Sequence, residues 1–182
     1  KQHTLKAPFS FEGKGLHTGL HIHANFLPAE ENTGIRICRT DLEGHPTYEA
    51  IADYVTATER GTVLERGAWK VSIVEHALYA MGVDNCLIEV DGPEMPILDG
   101  SAKYFIQSIE KVGLQEQEAE QKVYVVTEPI EYLSEHGNKM LILPSDKYEV
   151  DWQNVAKTDC GIKTMRATWK MAANVTSRNT ND

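Results

Sequence analysis

The stretch from Val71 to Ser101 constrains the fold more than any other part of the chain. Ile73, Val74, Ala77, Leu78 and Met81 recur at helical spacing, which predicts an amphipathic helix over about Ser72–Met81. Ser72 with Glu75 three residues on reads as a capping box, and Gly82 as the stop. Cys86-Leu87-Ile88-Glu89-Val90 reads as a strand that Gly92-Pro93 ends. Met95–Ser101 is an extended loop with an Asp or Ser cap at its end. Phe105, Ile106, Ile109 and Val112 then share a face of a second helix, about Ala102–Val112, with Gly113 at its close. Within the first helix, Glu75 and His76 are a polar pair in the opening turn. A carboxylate beside an imidazole can bind a metal and move a proton. It can equally be a cap and a surface histidine.

The flanking segments read as short strands. Thr4–Phe11 is one, and Leu20, Ile22, Ala24 and Phe26 alternate with His21, His23 and Asn25 in the next. Between them Gly13-Lys14-Gly15-Leu16-His17-Thr18-Gly19 is rich in glycine. A phosphate loop would need a Lys-Ser/Thr ending followed by a helix, so a hairpin-like turn is expected instead. His21 and His23 share one strand face; a pair at this spacing can ligate metal, but with no third ligand near in sequence a solvated face is the preferred reading. Ile35–Arg39 is another strand, Asp41–Pro46 is turn chemistry, and Glu49–Val55 is mixed. Gln115–Gln121 is acidic and polar, and the domain boundary is placed there, giving 1–121 and 122–182. Val123–Val126 and Met140–Leu143 read as strands, joined through Ile130-Glu131-Tyr132 and a turn at His136-Gly137-Asn138. After Asp151 the periodicity fades into Asn- and Thr-rich sequence.

Composition removes several function classes. The net charge of −9 argues against a nucleic-acid partner, because phosphate binding needs a basic surface. No apolar run approaches the ~20 residues of a membrane span. The chain opens Lys1-Gln2-His3-Thr4, without an initiator Met or a signal peptide, and is read as a fragment, a processed chain or a trimmed one. The three cysteines, Cys38, Cys86 and Cys160, form no C-x-x-C pair, which fits a reducing, cytoplasmic setting. Cys86, inside a strand, reads as buried rather than nucleophilic.

Several of these segments occur together in one known family, and in its order. They are Lys1-Gln2-His3-Thr4-Leu5-Lys6, Gly13–Gly19, Arg60-Gly61-Thr62-Val63-Leu64, Val74-Glu75-His76-Ala77-Leu78, Val83–Val90 and Gly92-Pro93-Glu94-Met95-Pro96-Ile97-Leu98-Asp99-Gly100-Ser101-Ala102. From Lys1 to about Val150 the chain resembles the zinc-dependent UDP-3-O-acyl-N-acetylglucosamine deacetylases of lipid A biosynthesis. The form is that of the Bacteroidetes branch, where the enzyme is often fused to a hydroxyacyl-carrier-protein dehydratase.

The resemblance implies an α+β fold: a two-layer domain of β-sheet plus helices, with the beginning of a second, similar domain packed helices-inward. Residues 1–121 would be the first deacetylase domain and 122–182 an incomplete second domain with a divergent tail. It implies a cytoplasmic amide hydrolase that removes acetate from the 2-amino group of a UDP-linked acylated glucosamine. Carried over by position, His76 matches a zinc ligand and Glu75 the general base that activates zinc-bound water. Leu16, His17, Arg60, Gly61 and Thr62 match loops lining the substrate site. The family's His-x-x-x-Asp ligand pair does not occur here, since His136 is the only histidine after His76 and position 140 is Met140. Its later acid histidine and substrate lysine are missing as well. The run from His76 to Asn85 is about one helical turn shorter than the family's. Two function classes follow: a zinc amide hydrolase, as the first half of a longer enzyme or by descent, and a non-catalytic remnant of one. With the second domain incomplete, Phe105, Ile106 and their neighbours are expected to be exposed and to drive self-association.

Overall fold

The computed structural model describes residues 1–58, 61–73, 76–122, 125–135, 139–145, 148–158 and 161–171, the side chains of 73, 76 and 148–171 excepted. It divides into two compact units, Lys1–Gln121 and Lys122–Asp182. The first contains β1 (His3–Leu5), β2 (Phe9–Lys14), β3 (His21–Pro28), β4 (Ile35–Arg39) and β5 (Thr47–Glu49). After a 3-10 turn at Ala52–Tyr54 come β6 (Val55–Ala57), β7 (Thr62–Arg66), β8 (Trp69–Ile73) and α1 (His76–Ala80). The unit closes with β9 (Cys86–Val90), α2 (Lys103–Val112) and β10 (Leu114–Glu116). The fold is mixed α+β, as the resemblance implies.

The main sheet has the order β2-β3-β9-β4-β5. β9 lies antiparallel to β3, with Phe26 opposite Ile88, and parallel to β4, with Ile37 opposite Ile88. Alternation explains the packing. Ile22, Ala24 and Phe26 of β3 and Cys86, Ile88 and Val90 of β9 are buried, while His21, His23 and Asn25 face solvent. Those inward side chains share a core with Ala77 and Leu78 of α1 and Phe105 and Ile109 of α2. α2 is seated by aromatic contacts. Phe105 meets the edges of Phe11 and Phe26, at ring centroid distances of 4.9 and 5.7 Å, and Phe26 stacks on Phe9 at 4.7 Å. Each fully buried ring of this kind is worth about 1.5–3 kcal/mol. Phe105 is 3% exposed and Ile106 is partly buried against the core, so these two side chains, expected to be exposed, are covered within the unit, while Tyr104 beside them and Tyr79 of α1 are exposed.

A three-stranded sheet, β6-β7-β8, leads into α1. Two side chains fasten β8 to β4. The indole N–H of Trp69 donates to the Ile37 carbonyl at 3.3 Å, and the buried Arg39 guanidinium donates to the Lys70 carbonyl. Arg39 also forms a two-pronged pair with Asp41, at 2.8 and 2.7 Å, which holds that carboxyl below the usual carboxylate range.

The helix expected from Ser72 is shorter than its apolar stripe. Val71–Ile73 belong to β8, where Ser72 pairs with Val63, so Ser72 cannot be the cap. Its N–H donates to the Pro93 carbonyl and its carbonyl accepts from Met95 N–H. Trp69 and Val71 are buried, Lys70 is exposed and Ser72 is half-buried, which is the period of a strand. Glu75, the other half of the expected capping box, lies outside the described residues. Gly82 does end α1. At φ +75° its N–H donates to Tyr79, and the next N–H, of Val83, to Leu78. The strand expected over Thr4–Phe11 is two strands, and the mixed segment Glu49–Val55 contains the 3-10 turn.

The polar stretch 115–121 packs on the first unit rather than crossing open solvent. β10 pairs with β1, and Asn85, 1% exposed, gathers the surrounding backbone. Its amide donates to the side-chain carbonyls of Gln2 and Gln117, both at 2.8 Å, and its carbonyl oxygen accepts from Gly34 N–H. Asp84 accepts from the N–H of His3 at 2.7 Å and from the Gln121 amide.

In the second unit β11 (Ile130–Leu133) pairs antiparallel with β12 (Lys139–Ile142), and β13 (Tyr148–Thr158) with β14 (Gly161–Met171). The last pair falls where the sequence pattern fades. The expected strand at Val123 begins outside the described residues, as does the expected turn at 136–138, and Val125–Thr127 is not a strand.

Replacing Asn85 with Ala takes the partner from Gly34 N–H and from the Gln117 amide oxygen, while Gln2 Oε1 keeps Asn32 N–H, and about 1–3 kcal/mol is lost for such a group. A loss of about 2–3 kcal/mol in urea unfolding, read on the tryptophan fluorescence, is expected.

Candidate functional site

A buried carboxylate organises the face from which α1 emerges. Glu94, 4% exposed, reaches from the segment after β9 to the turn joining β2 and β3. Its Oε2 accepts from His17 N–H at 3.0 Å and its Oε1 from Thr18 N–H at 2.8 Å. The Thr18 hydroxyl also donates to Oε1. Burial pushes this carboxyl up. The Thr18 hydroxyl and the two N–H groups together outweigh that effect and hold it below the usual carboxylate value. The approach is close: a Cβ added at Gly15 would fall 1.9 Å from Glu94 Oε1, so the Glu94 side chain would have to move to admit one.

The turn so held stands beside β7 and β8. A Cβ on Gly61 would lie 3.3 Å from the Ser72 hydroxyl oxygen and 3.8 Å from His17 Nε2. The parallel bridge between Ser72 and Glu94 completes the cluster. His17, Gly61, Ser72 and Glu94 therefore meet where β8 ends and α1 begins. Thr62 follows Gly61 at the start of β7, opposite Ile73, and Leu16 is 60% exposed at the tip of the turn.

The sequence-predicted site residues thus fall into two groups. Leu16, His17, Gly61 and Thr62 lie on adjoining backbone segments. His76 opens α1, but its side chain is outside the described residues, as are Glu75 and Arg60 altogether. Among the described residues no three His, Cys, Asp or Glu side chains stand together as a metal site. Glu94 is the residue that sequence reasoning assigned no role. Its only signal was a carboxylate directly after Gly92-Pro93, in a stretch that reads as a surface turn.

Two other polar groups are accounted for. His23 lies exposed between Asp91, 2.8 Å from its Nδ1, and Glu12, 3.3 Å from its Nε2. The Asp91 hydrogen bond is the main reason that its pKa is raised. Cys86 is buried and its thiol is pushed up to about 12 by that burial, so it is not a nucleophile at neutral pH.

Residues 2–179 match the sequence model of a family described as "LpxC: UDP-3-O-acyl N-acetylglycosamine deacetylase". This match runs past Val150, where the sequence reading ends the resemblance. A Bacteroides thetaiotaomicron protein named "Bifunctional enzyme LpxC/FabZ" is 53% identical over 155 residues, covering 83% of this chain and 34% of the relative. One of the same name from Porphyromonas gingivalis is 54% identical over 155 residues, with the same coverage of 83% and 34%. A "UDP-3-O-acyl-N-acetylglucosamine deacetylase" of Phenylobacterium zucineum is 40% identical over 158 residues, covering 84% of this chain and 53% of the relative. The chain spans about a third of the length of the two bifunctional relatives and about half that of the third.

The carboxylate contact makes position 15 more demanding than position 19. Gly15→Ala is expected to displace Glu94 and broaden or shift the backbone amide resonances of residues 15–20. Gly19→Ala has open space around it and costs only the strain of φ +67°, about 1 kcal/mol. A two-dimensional amide spectrum of each variant checks the contrast.

Proposed function

The chain belongs to the UDP-3-O-acyl N-acetylglycosamine deacetylase family, and from that we propose that residues 1–121 are the first domain of a zinc-dependent amide hydrolase. Residues 122–182 are the start of a second domain of the same kind. The substrate is a UDP-linked acylated glucosamine, and the reaction releases acetate from its 2-amino group. Leu16, His17, Arg60, Gly61 and Thr62 line the substrate site, Glu75 is the general base and His76 a zinc ligand. The observation that supports this best is the meeting of the Gly15–Gly19 turn with Gly61 and Ser72 directly ahead of the helix that His76 opens. No helix among the described residues is long and apolar enough to cross a membrane, and the proposed setting is cytoplasmic.

Catalytic zinc takes about three protein donors. His76 would be one. The His-x-x-x-Asp pattern that the resemblance calls for is not in the sequence after Gln121, and the described residues hold no three-donor cluster. The described residues do not make up the ligand set, and the remaining donors are proposed to lie in the part of the relatives that this chain does not span. The alternative reading is a non-catalytic remnant that retains the substrate loops.

A chimera separates the two. Residues 1–121 are joined to the remainder of the Bacteroides thetaiotaomicron deacetylase region, and acetate release from the UDP-sugar is measured. Turnover is expected, with His76→Ala losing bound zinc. Glu75→Ala is expected to keep the zinc but slow turnover by ~10²–10⁴-fold, the range for a lost general base. A folded chimera without turnover would leave the remnant reading.

A further inference from the structure

Gly15 N–H to the Leu20 carbonyl at 2.8 Å and Gly19 N–H to the Gly15 carbonyl at 3.2 Å close the Gly15–Gly19 turn, but neither bond reaches His17 or Thr18 between them. The turn connects two adjacent strands at the surface, and Leu16 within it and Leu20 just after it are 60% and 53% exposed. Glu94 supplies the missing restraint from outside the hairpin. Two consecutive backbone N–H groups, of His17 and Thr18, converge on its two oxygens. The Thr18 hydroxyl donates to the same carboxylate and also accepts from Leu20 N–H at 3.1 Å. Fixing both N–H groups fixes the peptide on either side of His17 and hence the direction of its side chain. That direction brings the ring beside Gly61 and Ser72.

A buried carboxylate is a costly way to fill space, since its desolvation must be offset by hydrogen bonds. Here all three donors come from the one turn. We infer that Glu94 is a positioning residue: by gripping the N–H groups of His17 and Thr18 it sets the direction in which the His17 imidazole faces the substrate site. The substrate is the one proposed above, but the grip itself does not depend on that reading. Thr18 and Gly15 approach the carboxylate as neutral groups, and His17 is the titratable group whose charge acts on it. The turn is held while Glu94 is ionised. Its folded-state pKa is lowered, so this contribution is present above the ordinary carboxylate value. It is lost as pH falls through the lower, folded-state value.

The test is nuclear magnetic resonance on the full 182-residue chain, comparing wild type with Glu94→Gln, which keeps the shape but not the charge. Amide exchange at His17 and Thr18 is expected to rise about tenfold or more in the variant, as charge-assisted bonds are lost. The cross-peak between the His17 ring and Gly61 should vanish, while exchange in Cys86–Val90 stays unchanged. In the wild type the same cross-peak should fade as pH falls below the carboxylate range. Unchanged protection and an unchanged cross-peak in Glu94→Gln would overturn the assignment. Should that variant not fold, Thr18→Ala removes the hydroxyl donor to Glu94, and with it the acceptor of Leu20 N–H, but keeps both backbone N–H groups on the carboxylate. It should lose the His17 cross-peak at a higher pH than wild type, and an identical pH profile would overturn the proposal. Adding UDP-N-acetylglucosamine separates the two readings. Shifts at His17 and Gly61 in wild type that disappear in Glu94→Gln support both. Absence of shifts in either protein counts against the substrate reading alone, because protection and ring contact decide the grip.

Discussion

The pairing of Cys86–Val90 on both of its edges is what the first unit depends on. It is antiparallel to one neighbour and parallel to the other, and three of its five side chains enter the core. A strand in that position cannot slip by one residue without turning Cys86, Ile88 and Val90 outward. Its fixed register transmits to both of its ends. Just ahead of it, Asn85 is held where it can gather Gln2, Gly34 and Gln117. Just beyond it, Glu94 is held where it meets the turn between the first two strands of the sheet. One strand therefore anchors the chain terminus on one side and the candidate site on the other.

The two flanking polar residues solve different problems. Asn85 is neutral and satisfies backbone and amide groups that closure of the unit takes out of water. Glu94 is charged, and its burial is tolerated because three donors from a single turn converge on it. Arg39 is the third buried polar group of note, and it fastens the sheet to the strand that leads into the first helix. With Trp69 it fixes where that helix starts, and so where His76 stands in the backbone. The site is thus placed by long-range polar contacts laid over an apolar frame.

Those contacts explain what the sequence revealed and what it did not. The central strand, the second helix and Gly82 as a helix stop were legible, because each is encoded by neighbours within a few residues. The alternation of Ile22, Ala24 and Phe26 was legible for the same reason. Ser72 was misread because Val71, Ile73 and Val74 satisfy a helical and an alternating period at once. What decided it was pairing with Val63 and with the segment after Pro93, which local pattern does not carry. Segment 115–121 was placed at a domain boundary because it is acidic and polar; within the first unit Gln117 and Gln121 hydrogen-bond Asn85 and Asp84. Glu94 carried no local sign of burial, since its partners lie 76 and 77 residues away. The hairpin Tyr148–Met171 was hidden by its Thr, Lys and Asn content, which blurs the alternation of a strand pair.

On the proposed function this chain carries one side of a metal-dependent site, with His76 as its histidine donor. Elemental analysis of the purified chain after dialysis against metal-free buffer tests that most directly. Zinc well below one equivalent is predicted, and it should be unaltered by His76→Ala. One tightly held equivalent that His76→Ala removes would contradict the account, because it would mean that the 182 residues complete a ligand set by themselves.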